Sequence, residues 1–191
     1  MILIDTCVLS SLAKIDRLSL LDILFKKHSC YITPSVLKEL DTNKIAGFKF
    51  VEKIDDLVSF TDAKNKVGII LLDSHELEKA YELKKQYKLA LPDCESIILA
   101  KSKNAILLTD DGYMSKVASQ MGIEQLFDLK SLLGANIIEG KIKSREELEE
   151  IIENLKQKDY YVFSDDDHGD IKMKLLVLQE TDWRFISSIM N

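Results

Sequence analysis

The sequence predicts an α/β fold in which a central parallel sheet is covered by helices on both faces. Three observations predict it. Short apolar runs, among them Ile2-Leu3-Ile4, Cys30-Tyr31-Ile32 and Ala105-Ile106-Leu107-Leu108, have the look of buried parallel strands. Each run is followed by apolar residues at helical spacing. Strands that alternate with helices in this way pair in parallel through right-handed crossovers.

Ile2-Leu3-Ile4 is closed by Asp5, and a helix follows with Val8, Leu9, Leu12 and Ile15 on its apolar face. A second amphipathic helix takes Leu18, Leu21, Ile23, Leu24 and Phe25. After the strand at residues 30–33, Pro34 suits the first position of a helix, where no N–H partner is needed. That helix turns Val36, Leu37 and Leu40 inward and carries Glu39 near its middle. From Asp41 to Leu72 the pattern is weaker, and residues 57–60 and 67–70 read as short strands or turns. Ser74 is expected to cap a helix through Leu77, Ala80, Tyr81 and Leu83, with Leu77 in place of a reciprocating glutamate. Leu91-Pro92-Asp93 opens the next helix, which buries Ile97, Ile98 and Ala100 and stops at Asn104. Residues 105–109 form the clearest strand, followed by Asp110-Asp111-Gly112 and a helix bearing Met114, Val117, Ala118 and Met121. A last strand at 124–127 leads into a helix that begins with Leu129, Leu132 and Leu133.

Residues 1–135 are expected to form one domain and 136–191 a helical or irregular C-terminal extension. In the extension Ser144 and Glu147 are spaced as a capping box, and the acidic run from Asp165 reads as a solvated loop. Tyr160, Tyr161, Val162 and Phe163 read as packing rather than as a platform for bases.

Composition narrows the function. In 191 residues, 46% hydrophobic, there is ample surface for one core. No apolar run is long enough to span a bilayer, and Met1 is followed by neither a basic region nor a cleavage site, which points to the cytoplasm and away from membranes. A net charge of −6 argues against coating nucleic acid with a basic face, so phosphate contacts would be local, with Lys38 and Lys44 best placed. Cys7, Cys30 and Cys94 are odd in number and widely spaced, as neither disulfides nor a zinc site would have them. His28, His75 and His168 have no metal-ligand spacing, and no glycine-rich phosphate loop follows any strand.

Four acids remain: Asp5, Glu39, Asp93 and Asp111. In open parallel sheets, ligands bind beyond the carboxyl ends of the strands. Asp5 closes the first strand, Asp111 follows the 105–109 strand, Asp93 stands at a helix start, and Glu39 lies one to two turns into the helix after the second strand. Taken singly, each is most simply a helix-start or solvated acid. Taken together they point to chemistry, because clustered carboxylates drive one another towards protonation unless a hard cation such as Mg²⁺ or Mn²⁺ is bound.

The residues around these acids resemble a known family. Leu3-Ile4-Asp5-Thr6-Cys7-Val8-Leu9 is similar to the opening motif of PIN-domain proteins, and Thr33-Pro34-Ser35-Val36-Leu37-Lys38-Glu39-Leu40 to the second. Pro92-Asp93-Cys94-Glu95-Ser96-Ile97 resembles the third and Leu107-Leu108-Thr109-Asp110-Asp111 the fourth. The resemblance spans residues 1–135. It implies a Rossmann-like three-layer α/β/α fold and a metal-dependent endoribonuclease, as in the VapC-type toxins. By the same resemblance Asp5, Glu39, Asp93 and Asp111 bind the metal, and Thr6 and Thr109 support them. Asp110 and Glu95 are neighbouring acids able to take a ligand's place. Cys7 stands where the family often has Ser or Asn, which implies the loss of a supporting polar contact. The implied partners are RNA, an antitoxin or other protein, and a second copy of the chain. The alternative is a non-catalytic module of the same fold that binds RNA or protein.

Overall fold

Ile2, Leu3 and Ile4 form the strand about which the sheet is arranged. In the computed structural model, which describes residues 1–60 and 65–176, β1 (Ile2–Ile4) lies between β2 (Cys30–Ile32) and β5 (Ile106–Leu108). With β3 (Val58–Ser59), β4 (Val67–Ile69) and β6 (Leu126–Phe127), the order among the described residues is β3-β4-β2-β1-β5-β6. Every pairing is parallel: Leu3 stands opposite Tyr31 on one side and Leu107 on the other, and Leu108 opposite Phe127. From β1 the chain lays down β2, β3 and β4 on one side, with β3 outermost and β4 between it and β2, and then crosses to β5 on the other side. This reversal opens a crevice at the carboxyl ends of β1 and β5, where sheets of this kind bind ligands.

The strands are only two or three residues long, and backbone bonds beyond them extend the ladder. Asp5 N–H donates to Leu108 C=O at 3.0 Å, Ile70 N–H to Ile32 C=O at 3.0 Å, and Thr109 N–H to Phe127 C=O at 2.9 Å. The backbone at Asp5 and Thr109 is therefore fixed by the sheet itself.

Helices follow the strands as the apolar spacing requires: α1 (Thr6–Lys14), α2 (Asp22–Phe25), α3 (Pro34–Ile45), α4 (Phe50–Asp55), α5 (Ser74–Tyr87), α6 (Leu91–Lys103), α7 (Gly112–Gln120), α8 (Leu129–Ile138) and α9 (Arg145–Asp159). Leu3 and Leu107 share a buried cluster with Ala80 and Leu83 of α5, Ile97 and Ile98 of α6, and Met114 and Val117 of α7. Ile2 and Ile4 alternate to the opposite face. Val8, Leu9 and Leu12 of α1, outside that cluster, are fully buried, and α1 packs on α3 and α4. The three-layer arrangement is the one expected.

Three local expectations change. The second amphipathic helix is a 3-10 turn (Leu18–Leu21) running into the one-turn α2. The stretch after Asp41 continues α3 to Ile45 and adds α4 before β3 and β4. The cap of α5 is Asp73, not Ser74. Asp73 Oδ1 accepts the Glu76 N–H at 2.8 Å and Glu76 Oε2 accepts the Asp73 N–H at 3.0 Å, a complete capping box one residue earlier than the sequence suggests.

Glu76 also joins α5 to α6, because Oε1 accepts from Ser102 Oγ at 2.6 Å and Lys103 Nζ at 2.9 Å. Burial pushes this carboxyl up, but the Ser102, Lys103 and Asp73 hydrogen bonds outweigh it and hold Glu76 at about 2, against an ordinary 4.5. A depressed carboxyl stabilises the fold above its ordinary range and loses that contribution as pH falls towards 2. Glu76→Gln is expected to cost about 1–3 kcal/mol at pH 7. In denaturant titrations the gap to wild type should narrow steadily below pH 4.5; a gap that does not change with pH would refute this assignment.

The chain divides into two compact units, Met1–Leu129 and one beginning at Lys130. In the second, Ser144 Oγ accepts the Glu147 N–H at 3.1 Å as expected, but Glu147 Oε2 accepts from Lys143 N–H at 3.1 Å rather than closing the box on Ser144. The acidic run is not a loop. Residues 165–176 are helical, and Asp167 N–H donates to Ser164 Oγ at 3.1 Å. Acids are favoured in a first helical turn by the unpaired N–H groups there. Asp167 and Asp170 hold Lys130 Nζ at 2.6 and 2.9 Å. Tyr161 and Phe163 pack edge to face at 4.8 Å, whereas Tyr160 and Val162 are exposed. Among the described residues no helix is long and apolar enough to cross a membrane.

Candidate functional site

Asp5 is both the end of a strand and the start of a helix. Its Oδ1 accepts the Thr6 N–H at 2.7 Å, which makes it the N-cap of α1. Its Oδ2 accepts the Thr109 hydroxyl at 2.8 Å and the Cys7 thiol at 2.8 Å. Asp5 is only 4% exposed. A carboxylate so buried is stable only with donors around it, and here three are aimed at its two oxygens.

Thr109 and Thr6 extend this arrangement in opposite directions. Thr109, buried at the end of β5, receives the Asp111 N–H on the same hydroxyl at 3.1 Å. Asp111 in turn caps α7, with Oδ1 accepting the Met114 N–H at 2.7 Å. On the other side the Thr6 hydroxyl donates to Glu39 Oε2 at 2.7 Å and so draws the middle of α3 against the first turn of α1. A continuous chain of hydrogen bonds thus runs from Glu39 through Thr6, Asp5 and Thr109 to the backbone of Asp111.

Asp93, in the first turn of α6, accepts the Ala90 N–H on Oδ2 at 3.2 Å. The other acids act on it through repulsion. Burial, then the charge of Asp5, and further the charges of Asp111 and Glu39, push Asp93 up to about 7 despite the Ala90 N–H. Hydrogen bonds through Thr6 and Thr109 thus link Glu39, Asp5 and the backbone of Asp111, and Asp93 is linked to them only through charge. Three of the four acids start helices, whose N-termini favour negative charge.

The two neighbouring acids are placed differently. Glu95, 4% exposed, accepts the Ser35 hydroxyl at 2.6 Å on Oε1 and the Ser35 N–H at 3.1 Å on Oε2. It fastens α6 to the first turn of α3, the helix that carries Glu39. Asp110 accepts the Leu129 N–H on Oδ1 at 3.1 Å, at the start of α8, and its own N–H donates to Cys7 Sγ at 3.3 Å. Lys44 is paired with Asp55, and Lys38 lies exposed on α3.

Cys7 reverses an expectation. The polar contact that its substitution for Ser or Asn was expected to remove is made by the thiol itself. Burial, then the charge and hydrogen bond of Asp5, push the thiol well above its ordinary range, so it stays protonated and donates. One local signal marks it: Cys7 lies two residues after the cap, in the turn that Asp5 opens. Ser35 has no such signal, because its partner is sixty residues away. All three cysteines are free.

Among the described residues, no group of three or more His, Cys, Asp or Glu side chains stands positioned to hold a metal ion. The donor chemistry nevertheless fits a hard divalent cation. The converging groups are carboxylates, the one thiol is held protonated, and the repulsion felt by Asp93 is what a cation relieves.

Comparison with curated proteins and with solved structures finds no match. A family model of the PIN domain matches residues 1–166, a span that contains every element of the sheet and all four acids. The chain belongs to the PIN-domain family.

Proposed function

We propose that this protein is a metal-dependent endoribonuclease that hydrolyses RNA phosphodiester bonds at the site of Asp5, Glu39, Asp93 and Asp111. PIN domains are generally nucleases and typically use divalent metals. The observation that supports this reading is the hydrogen-bonded chain that links Glu39, Asp5 and Asp111 through Thr6 and Thr109 beside the switch point of the sheet, with Asp93 feeling the charge of all three.

In this reading the four acids hold Mg²⁺ or Mn²⁺. A bound ion would supply electrophilic activation of water and of the phosphodiester. The chain's own part is orientation. Thr109 and Cys7 fix Oδ2 of Asp5, Thr6 fixes Oε2 of Glu39, and the caps of α1 and α7 set the angles at which Asp5 and Asp111 face the crevice. Glu95 acts one step further out by seating α3.

Purified protein should cleave an RNA oligonucleotide when Mn²⁺ or Mg²⁺ is added and stop when EDTA is added. Binding without cleavage under all metal conditions would support the second reading, a non-catalytic RNA- or protein-binding module. One observation favours that reading: no three of these side chains stand ready as ligands among the described residues. A homodimer and a protein antitoxin are the partners that belong to the proposal. Growth arrest on expression of the wild type, but not of an Asp93→Ala variant, would mark the nuclease as a toxin.

A further inference from the structure

Tyr113 lies two residues beyond Asp111 in the first turn of α7, and 52% of it is exposed. Its hydroxyl donates to Tyr87 C=O at 2.8 Å, at the last residue of α5. The tip of the ring is thus tied to a second helix while the ring stays at the surface. Gly112, between Tyr113 and Asp111, has no side chain, and nothing stands within 4 Å of where its Cβ would be.

An aromatic face held at the surface offers a flat area that a partner can cover. Charge points to what that is. The chain carries a net charge of −6, its site is built from acids, and Lys44 is paired with Asp55. Phosphate attraction, the usual source of affinity for nucleic acid, is therefore weak here. Stacking of a base on an aromatic face supplies affinity without positive charge, and an anchored ring loses little freedom when it is covered.

Resting on the nuclease reading of the site, we propose that Tyr113 is a base-stacking residue that receives an unpaired base beside the phosphate held at the acid cluster. A base in a duplex has both faces covered by its neighbours and offers none to the ring. Tyr113 then sets a requirement for single-stranded RNA at that nucleotide.

The test uses the full chain and a fluorescein-labelled mixed-sequence RNA 12-mer, free or annealed to its complement. Binding is measured by anisotropy in EDTA, where no cleavage occurs, and cleavage separately in Mn²⁺. Tyr113→Ala is expected to weaken binding of the single strand about 5- to 150-fold. It should raise KM by a similar factor while kcat changes less than about threefold. Tyr113→Trp should bind as wild type does, and its emission should fall on addition of unlabelled 12-mer, measured against wild type, whose one tryptophan is Trp183. Duplex binding should be equally weak in all three proteins. A wild type that cleaves the 12-mer, paired with a Tyr113→Ala variant of equal affinity and KM, would overturn the stacking role and leave the nuclease reading standing. A wild type that neither binds nor cleaves RNA would overturn both. Equal losses on single strand and duplex would show that the ring does not distinguish unpaired bases, and would overturn the proposal.

Discussion

Asp5→Asn is expected to abolish RNA cleavage while leaving the protein folded. Asparagine caps a helix about as well as aspartate, so Oδ1 can still accept the Thr6 N–H. The new amide donates where Oδ2 accepted; the Thr109 hydroxyl can turn to receive it, while the Cys7 thiol loses its acceptor. The cost to stability is therefore about 1–2 kcal/mol. The loss of one negative charge at the centre of the acid group is expected to lower kcat/KM by on the order of 10³-fold or more, about 4 kcal/mol of transition-state stabilisation. Melting followed by circular dichroism, together with initial rates in Mn²⁺, separates the two effects. Cleavage within tenfold of wild type in a folded variant would remove Asp5 from the machinery.

Glu95→Ala should give the largest loss of stability among the polar substitutions considered. The substitution empties a buried site and leaves the Ser35 N–H and hydroxyl without their shared acceptor. A cost of about 2–4 kcal/mol follows from one charge-assisted and one backbone hydrogen bond lost in the interior. Because Ser35 lies in the first turn of α3, the same change loosens the helix that brings Glu39 to Thr6. Urea titration should show the shift in midpoint, with Glu78→Ala, an exposed acid of α5, near zero as a control. A Glu95→Ala protein as stable as wild type would mean that α3 is seated by its apolar contacts alone.

The parts of the site legible in the sequence were those fixed by local rules. Asp5, Asp93 and Asp111 stand where apolar runs end or helices begin, and such places in a parallel sheet share one edge. Glu39 was harder to place, because a position within a helix does not fix the direction of its side chain. The Thr6 hydroxyl decides it. The α5 cap was misplaced by one residue because Asp73 and Ser74 are both good caps, and only the complete box with Glu76 distinguishes them. The acidic run from Asp165 suggested a loop by composition, yet acids also suit the opening turn of a helix, and the sequence alone does not rank the two. Strands as short as Val58–Ser59 carry almost no periodic signal. The pairing of Ser35 with Glu95 depends on which helices meet, which no local pattern contains.

The double duty of Asp5 and Asp111, as helix caps and as members of the acid group, bears on how such a protein can change over generations. Asparagine or serine at either position would keep the cap and erase the charge. A descendant could thus lose the negative centre of its site without unfolding, and it would keep the same sheet, helices and surface for binding. Inactive members of such a lineage would be betrayed by their side chains at positions 5 and 111, and not by any change of shape.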